Sequence, residues 1–341
     1  MHVIVLHQSI SEDSAADDVD VLTQVKAVSA ALIENDHTLD VISCDLNLEK
    51  ISVVLRKTES DVVFNLVESL AGNGSMLAIV PMLLDALEVR YTGTRTEALM
   101  VTTHKLQMKQ RLRQIRLPTP GWKVLPGHRM LADPYTQHER RSRQRKERYL
   151  IKPIWEHGSV GIESAALVET EFEGDLNEII RHRESKLLRP CFAERYVDGR
   201  EFNISLLEID GQPAVLPPAE IRFKGFSADR PKLVDYRAKW DESSFEYQNT
   251  VPTFQFEAID KALLQQLRAL SIQCWNLFGL SGYARIDFRV DRDGEPWVID
   301  VNANPCLSPG AGFCLALQTG QIPFSQAIEH IVRSAVRPQI L

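Results

Sequence analysis

The sequence predicts an α/β protein with a parallel sheet in its first part, and three observations predict it. Residues 1–93 alternate short apolar runs with amphipathic helix-like ones, the pattern of βαβ units. From about residue 149 the strands come in pairs joined by turn residues, so the later part is α+β. The chain has 341 residues, 44% hydrophobic and 25% charged, enough for two or three domains with real cores.

The elements follow in order. Residues 3–6 form an apolar strand, and an acidic loop spans 11–20. Val21, Val25, Val28 and Leu32 recur at spacings of 4, 3 and 4, which predicts an amphipathic helix. Residues 39–42 and 61–66 are further strands, and Gly72-Asn73-Gly74-Ser75 is a flexible loop before an apolar helix at 76–87. Ligands of parallel sheets sit beyond the C-terminal strand ends, so the 11–20 and 65–75 loops are candidate substrate walls. A helix at 96–115 stops before Pro118-Thr119-Pro120-Gly121. Residues 149–153 form a strand. The following Glu156-His157-Gly158-Ser159-Val160-Gly161 can turn backbone N–H groups toward phosphate, although most loops of this composition are plain turns. Residues 192–197 and 201–206 are strands around an Asp198-Gly199-Arg200 turn, with Glu201, Asn203 and Ser205 on one face. Residues 224–250 form a long polar connection, of the kind that is functional or disordered. A helix at 257–278 carries Leu263, Leu267, Leu270 and Cys274 on one stripe.

Near the C-terminus, residues 284–290 and 297–302 read as a hairpin closed by Asp291-Arg292-Asp293-Gly294. Alternation places Arg285 and Asp287 on one face of the first strand. Asp300 and Asn302 share a face of the second, while Trp297, Ile299 and Val301 point the other way. Charges on a hairpin ordinarily mean a solvated face. Two carboxylates, an amide and a guanidinium in one small volume also suit a Mg²⁺ ion that takes its remaining ligands from water and phosphate.

Other functions are disfavoured by composition. With 39 basic and 46 acidic residues the formal charge is −7, which argues against a nucleic-acid binder. The basic run 138–148 is a short exception, read as a solvated segment. No apolar run reaches a membrane span, and the first residues read as a strand rather than a leader. Five cysteines without CxxC spacing fit reduced thiols and a cytoplasmic protein. Cys306, close to the acidic hairpin, reads as a packing residue rather than a reactive thiol.

Together the pieces resemble the ATP-grasp superfamily, and within it the D-alanine–D-alanine ligases. The motifs are Tyr91-Thr92-Gly93, His104-Lys105-x-x-x-Lys109, Pro118-Thr119-Pro120, Ile151-Lys152-Pro153, Gly158-Ser159-Val160-Gly161, Glu194-x-x-x-x-Gly199-Arg200-Glu201, Asp235-Tyr236-Arg237-Ala238-Lys239-Trp240, Arg285-Ile286-Asp287 and Asp300-Val301-Asn302-x-x-Pro305. They run in the family's order through nearly the whole chain. The resemblance implies an ATP-grasp fold: a parallel-sheet N-terminal domain (1–93), then a central subdomain (94–198) and a catalytic domain (199–341) that sandwich ATP. Lys105 and Lys152 would neutralise phosphate oxygens, and Gly158, Ser159 and Val160 would cover them. Glu194 would accept from the adenine amino group with the Val197 backbone at the ring edge, and Glu201 would hold the ribose. Asp287, Asp300 and Asn302 would bind Mg²⁺, with Mn²⁺ as an alternative. Arg285 would stabilise an oxyanion, and Lys239 would sit on a closing loop. The implied reaction is ATP-dependent joining of a carboxylate to an amine through an acyl phosphate.

The sequence departs from that family around its substrates. Glu12 lies where a carboxylate usually meets the first ammonium, in a loop of different pattern. Asn65-Leu66-Val67-Glu68-Ser69 replaces a glycine-rich segment, with Glu68 as a stand-in carboxylate. Asp300 replaces a Glu, and Cys306 a Gly ahead of Ser308. These changes predict small amino-acid-like substrates other than two free D-alanines, while charge and hydropathy predict no nucleic-acid or membrane partner, and a homodimer is compatible with the chain. A small-molecule kinase of the same fold and a non-catalytic nucleotide-binding regulator are the competing readings.

Overall fold

The computed structural model describes residues 1–12, 14–134, 147–170, 173–227 and 229–337. The 138–146 part of the basic run therefore lies outside the described residues, and Glu147 and Arg148 begin a strand. Three sheets organise the chain. Strands β1 (His2–Gln8), β2 (Thr38–Cys44) and β3 (Val62–Asn65) form a parallel sheet in the order β2-β1-β3. Val3, Ile4, Val5 and Leu6 are fully buried, as expected for a parallel strand covered on both faces. Helix Val21–Glu34 buries Val21, Val28 and Leu32 against it, as the spacing predicts.

The second sheet is antiparallel: β4 (Trp122–Lys123), β5 (Glu147–Pro153), β6 (Leu167–Thr170) and β7 (Cys191–Arg195), ordered β4-β7-β5-β6. The third is also antiparallel: β8 (Gly199–Ile209), β9 (Gln212–Val215), β10 (Ala219–Phe223), β11 (Thr250–Thr253), β12 (Tyr283–Asp291) and β13 (Pro296–Asn302). Its order is β11-β10-β8-β12-β13, with β9 paired to β8. At Gly199, where β8 begins, a Cβ would stand 2.0 Å from the Val290 carbonyl oxygen, so this close approach admits only glycine.

Several elements differ from expectation. The helix expected at 96–115 is two, Thr96–Thr103 and Lys105–Gln114, because His104 leaves helical geometry (φ −81°, ψ 94°) and its Nδ1 caps the second helix at Gln107 N, 3.3 Å away. The break puts Lys105 in the first turn of the new helix, its backbone N–H donating to Ile154 O at 3.0 Å. Helix Leu48–Lys57, capped by Asn47, was not anticipated. The 224–250 connection contains two short helices, Tyr236–Trp240 and Phe245–Asn249, capped by the Asp235 and Ser244 side chains.

The hairpin carries a correction. Arg285 pairs Asn302 and Asp287 pairs Asp300, but Phe288 pairs Val298, so Ile299 is an extra residue. This bulge breaks the alternation of β13. Ile299 lines the central cavity rather than pointing away, while Val298 and Val301 are buried in the core.

The cores cross the expected divisions. Leu99, Met108 and Leu112 pack with Ile286, Phe288 and Val301 of the third sheet. The final helix, Phe324–Val336, returns to pack Ile328, Ile331 and Val332 with Val3, Val5, Val28 and Leu32. The third sheet thereby shares one core with the N-terminal sheet and another with the two helices at 96–114.

Candidate active site

A cavity of about 730 Å³ opens between the second and third sheets and reaches the N-terminal one, a size that holds a small-molecule ligand. At one end Glu194, on β7, lies between two lysines. Lys109 Nζ donates to Glu194 Oε1 at 2.6 Å and to Thr119 Oγ1 at 2.8 Å, and Lys152 Nζ donates to Glu194 Oε2. All three side chains are buried. Burial pushes the Lys109 ammonium down to about 8 against the pull of Glu194. Burial opposes the charged form of Glu194, but Lys109 and Lys152 outweigh it and hold its carboxyl below the usual range. The group is thus two ammoniums on one carboxylate.

Toward the middle, Lys105 Nζ donates to the Glu156 carbonyl at 2.7 Å and approaches Asp300 Oδ2 at 3.4 Å. Burial opposes ionisation of Asp300, yet Lys105 and Lys152 hold its pKa at about 2. Arg285 grips Asp287 through Nε at 2.7 Å and Nη2 at 2.8 Å. Asp287 also accepts from Asn203 Nδ2 at 2.8 Å and Asn302 Nδ2 at 3.0 Å. Burial lowers the pKa of Lys239, and Arg285 adds to it. Burial likewise takes His157 down to about 4, so its imidazole is neutral at neutral pH, and its Nε2 has no hydrogen-bond partner among the described residues.

The segment over this region is fastened at several points. Trp240 Nε1 donates to Gly158 O at 3.0 Å, Ser159 Oγ to Val234 O at 2.7 Å, and Tyr236 OH to Asp17 Oδ1 at 3.1 Å. The loop at 158–161 and the 234–240 segment thus meet each other and the N-terminal part.

The N-terminal end is acidic. Ser308 Oγ donates to Asp20, with both carboxylate oxygens at 2.8 Å, and Gln24 Nε2 donates to Glu68 Oε1 at 2.8 Å. Cys306 Sγ lies 3.1 Å from Asp20 Oδ2, and burial pushes its thiol far up, which agrees with an inert packing residue. Burial raises Glu68 to about 7; the Gln24 hydrogen bond opposes this, while Asp20, Asp17 and Asp18 add to it. Tyr283 and Cys306 also face this carboxyl. Folding therefore favours the neutral acid, and its contribution weakens stability as pH rises from about 4.5 to about 7. Glu68→Gln is expected to remove a decline on the order of 1–3 kcal/mol across that window. Urea midpoints of the ligand-free protein at pH 5 and 7.5 measure it, and equal declines in both proteins would refute the assignment.

The cavity gathers Arg285, Lys239, Lys105, Lys152, Gly158, Ser159, Glu194, Val197, Glu201, Asp287, Asp300, Asn302, Glu68 and Ser308. It does not gather Val160 or Glu12. Glu12 is exposed in the turn after β1, and the helix start that follows brings Asp20 to the cavity instead. Lys109 and Asn203 stand in motifs the sequence shows but carry no site role there, and Arg289 and Asp20 were not singled out. Two of these had a signal: Lys109 lies four residues after Lys105, one helical turn on, and Arg289 continues the period-two series Arg285, Asp287.

Among the described residues no group of three or more His, Cys, Asp or Glu side chains is arranged to hold a metal. The hairpin offers two carboxylates and an amide, with Asp287 and Asp300 register partners and the Asn302 amide 3.0 Å from Asp287. These hard oxygens fit a divalent cation that keeps open positions for phosphate. No helix among the described residues is long and apolar enough to cross a membrane.

Comparison with known proteins agrees with this geometry. The family model described as D-ala D-ala ligase C-terminus matches residues 112–333. A D-alanine–D-alanine ligase of Synechococcus sp. (strain JA-2-3B'a(2-13)) is 29% identical over 312 residues, covering 92% of this chain and 87% of that protein. The ligase of Methylococcus capsulatus is 28% identical over 324 residues, covering 94% and 93%. The ATP-complexed D-alanine–D-alanine ligase of Bacillus anthracis superposes with a TM-score of 0.71 at 20% identity, covering 99% of this chain and 98% of that one. The chain therefore belongs to the D-alanine–D-alanine ligase family of the ATP-grasp fold and is an ATP-dependent, ADP-forming carboxylate–amine ligase.

Proposed function

We propose that this ligase joins a small amino-acid-like acid to an amine other than free D-alanine, with ATP in the cavity between the second and third sheets. The observation that carries the reading is one cavity lined at once by Lys105 and Lys152, the Asp287–Asp300–Asn302 hairpin, Arg285, and the acidic Asp20–Glu68 end. The chain is read as three domains, 1–93, 94–198 and 199–341, each centred on one sheet. Glu194 and the Val197 backbone face the adenine, and Glu201 the ribose. Lys105 and Lys152 meet the phosphates, covered by Gly158 and Ser159. Asp287, Asp300 and Asn302 would hold Mg²⁺, whose chemistry there would be to offset phosphate charge.

The substrate carboxylate oxygen attacks the γ-phosphorus as the bond to the bridging oxygen breaks and ADP leaves. The amine nitrogen then attacks the acyl carbon and gives up a proton, and the tetrahedral intermediate expels phosphate. Arg285 stands beside the developing oxyanion. Lys239, on the segment latched to Gly158, meets the phosphates while that segment excludes water. The Asp20–Glu68 end favours an ammonium group on a substrate. A kinase that stops at phosphoryl transfer would consume ATP without an amine.

The test is phosphate release from Mg-ATP across paired acids, amines, amino acids and dipeptides. Release that requires both an acid and an amine is expected. Rapid release with D-alanine alone would overturn the substrate assignment.

A further inference from the structure

A buried arginine next to the proposed ribose carboxylate has no role in the chemistry above. Arg289 stands on β12 two residues beyond Asp287, lines the cavity, and is 4% exposed. A guanidinium has five N–H donors in a rigid plane. Here Nε donates to the Val197 carbonyl at 3.0 Å. Nη1 donates to Glu201 Oε2 and to the Lys232 carbonyl, both at 3.0 Å. Nη2 donates to the Tyr196 hydroxyl and to the Gly199 carbonyl, both at 3.2 Å. The guanidinium also lies over the Tyr196 ring, 5.3 Å from its centroid.

Those acceptors come from three places. Tyr196 and Val197 belong to the connection between the second and third sheets. Gly199 and Glu201 open β8. Lys232 precedes the segment that latches onto Gly158, and the Tyr196 hydroxyl donates to the same Lys232 carbonyl at 3.3 Å. One side chain thus ties the inter-sheet connection to both the ribose carboxylate and the covering segment. Glu201 Oε2 is committed to Arg289, while Oε1 has no hydrogen-bond partner among the described residues.

We infer that Arg289 is a positioning residue for the nucleotide sugar: by holding Oε2 of Glu201 it aims Oε1 at the ribose hydroxyls, and it couples that aim to the covering segment through Lys232. The inference rests on the assignment of Glu201 to the ribose. An arginine that only filled the core could be replaced by an apolar side chain of similar length without altering which sugar is bound. A positioning arginine could not, because a carboxylate released from its fork loses the fixed geometry that rewards a hydroxyl.

Mg-ADP and Mg-2′,3′-dideoxy-ADP binding, measured by calorimetry, test this without knowledge of the other substrates. The wild type is expected to prefer ADP by roughly tenfold or more, the size of one or two charge-assisted hydrogen bonds. Arg289→Met is expected to shrink that preference to about threefold or less. Arg289→Lys, with a charge but no fork, is expected to fall between. If Arg289→Met does not fold, Arg289→Lys decides alone. Either folded variant keeping the full wild-type preference, while Glu201→Ala loses it, overturns the inference and leaves the ribose assignment standing. A wild type that binds both nucleotides alike, or a Glu201→Ala that keeps the preference, overturns the ribose assignment and the inference with it.

Discussion

Arg285→Ala is expected to lower the rate of bond formation by about a hundred- to a thousandfold, the range for removing one oxyanion donor. Mg-ATP affinity is expected to stay within a few-fold of wild type. Arg285 Nε and Nη2 hold Asp287, while Nη1 would be 3.9 Å from a Cβ built on Gly312. The substitution therefore removes a cation from the proposed reacting centre and one of three supports from Asp287. Asn203 and Asn302 still bond that carboxylate, so the nucleotide side keeps its frame. Turnover with the true substrates and calorimetric ATP binding separate the two effects. Unchanged turnover would remove Arg285 from the reaction, and parallel collapse of both would make it a support for Asp287 only.

The second large effect is on stability. Glu194→Gln leaves Lys109 and Lys152 buried without their shared carboxylate, and breaking a buried ion pair at one partner costs about 3–5 kcal/mol. Lys109 is fully buried and Glu194 is what holds its pKa up at about 8, so the variant must either strand its ammonium or force it to give up its proton. The double variant Glu194→Gln/Lys109→Met removes one of the two stranded charges and is expected to recover a large part of the loss. Denaturant midpoints of the single and double variants measure the coupling. A single variant within about 1 kcal/mol of wild type, below the range for a broken buried pair, would mean that the lysines find other partners.

Much of the site was legible because its chemistry is local. Arg285 and Asp287 share a face because strands alternate. Gly158 and Ser159 reach the cavity on a loop that glycine permits, with φ 65° and 72° at Gly158 and Gly161. The acidic character of the 11–20 loop was also visible, but not which carboxylate turns inward. The turn after β1 leaves Glu12 exposed and the following helix start carries Asp20 to Ser308, 288 residues away in sequence. No periodicity encodes that distance.

By itself the sequence determined the parallel N-terminal sheet, the acidic hairpin, and the order of motifs that marks the ATP-grasp fold, because each depends on side-chain period or on a short run of residue types. Tertiary structure decided the rest. The bulge at Ile299 turned one apolar residue toward the cavity, since register is set by pairing with β12 and not by β13 alone. The Lys109–Glu194–Lys152 cluster, the five-way hold of Arg289 and the entry of Asp20 join residues from separate elements. Burial then gives those contacts their force, because a buried charge must find its partners in the fold when water is excluded.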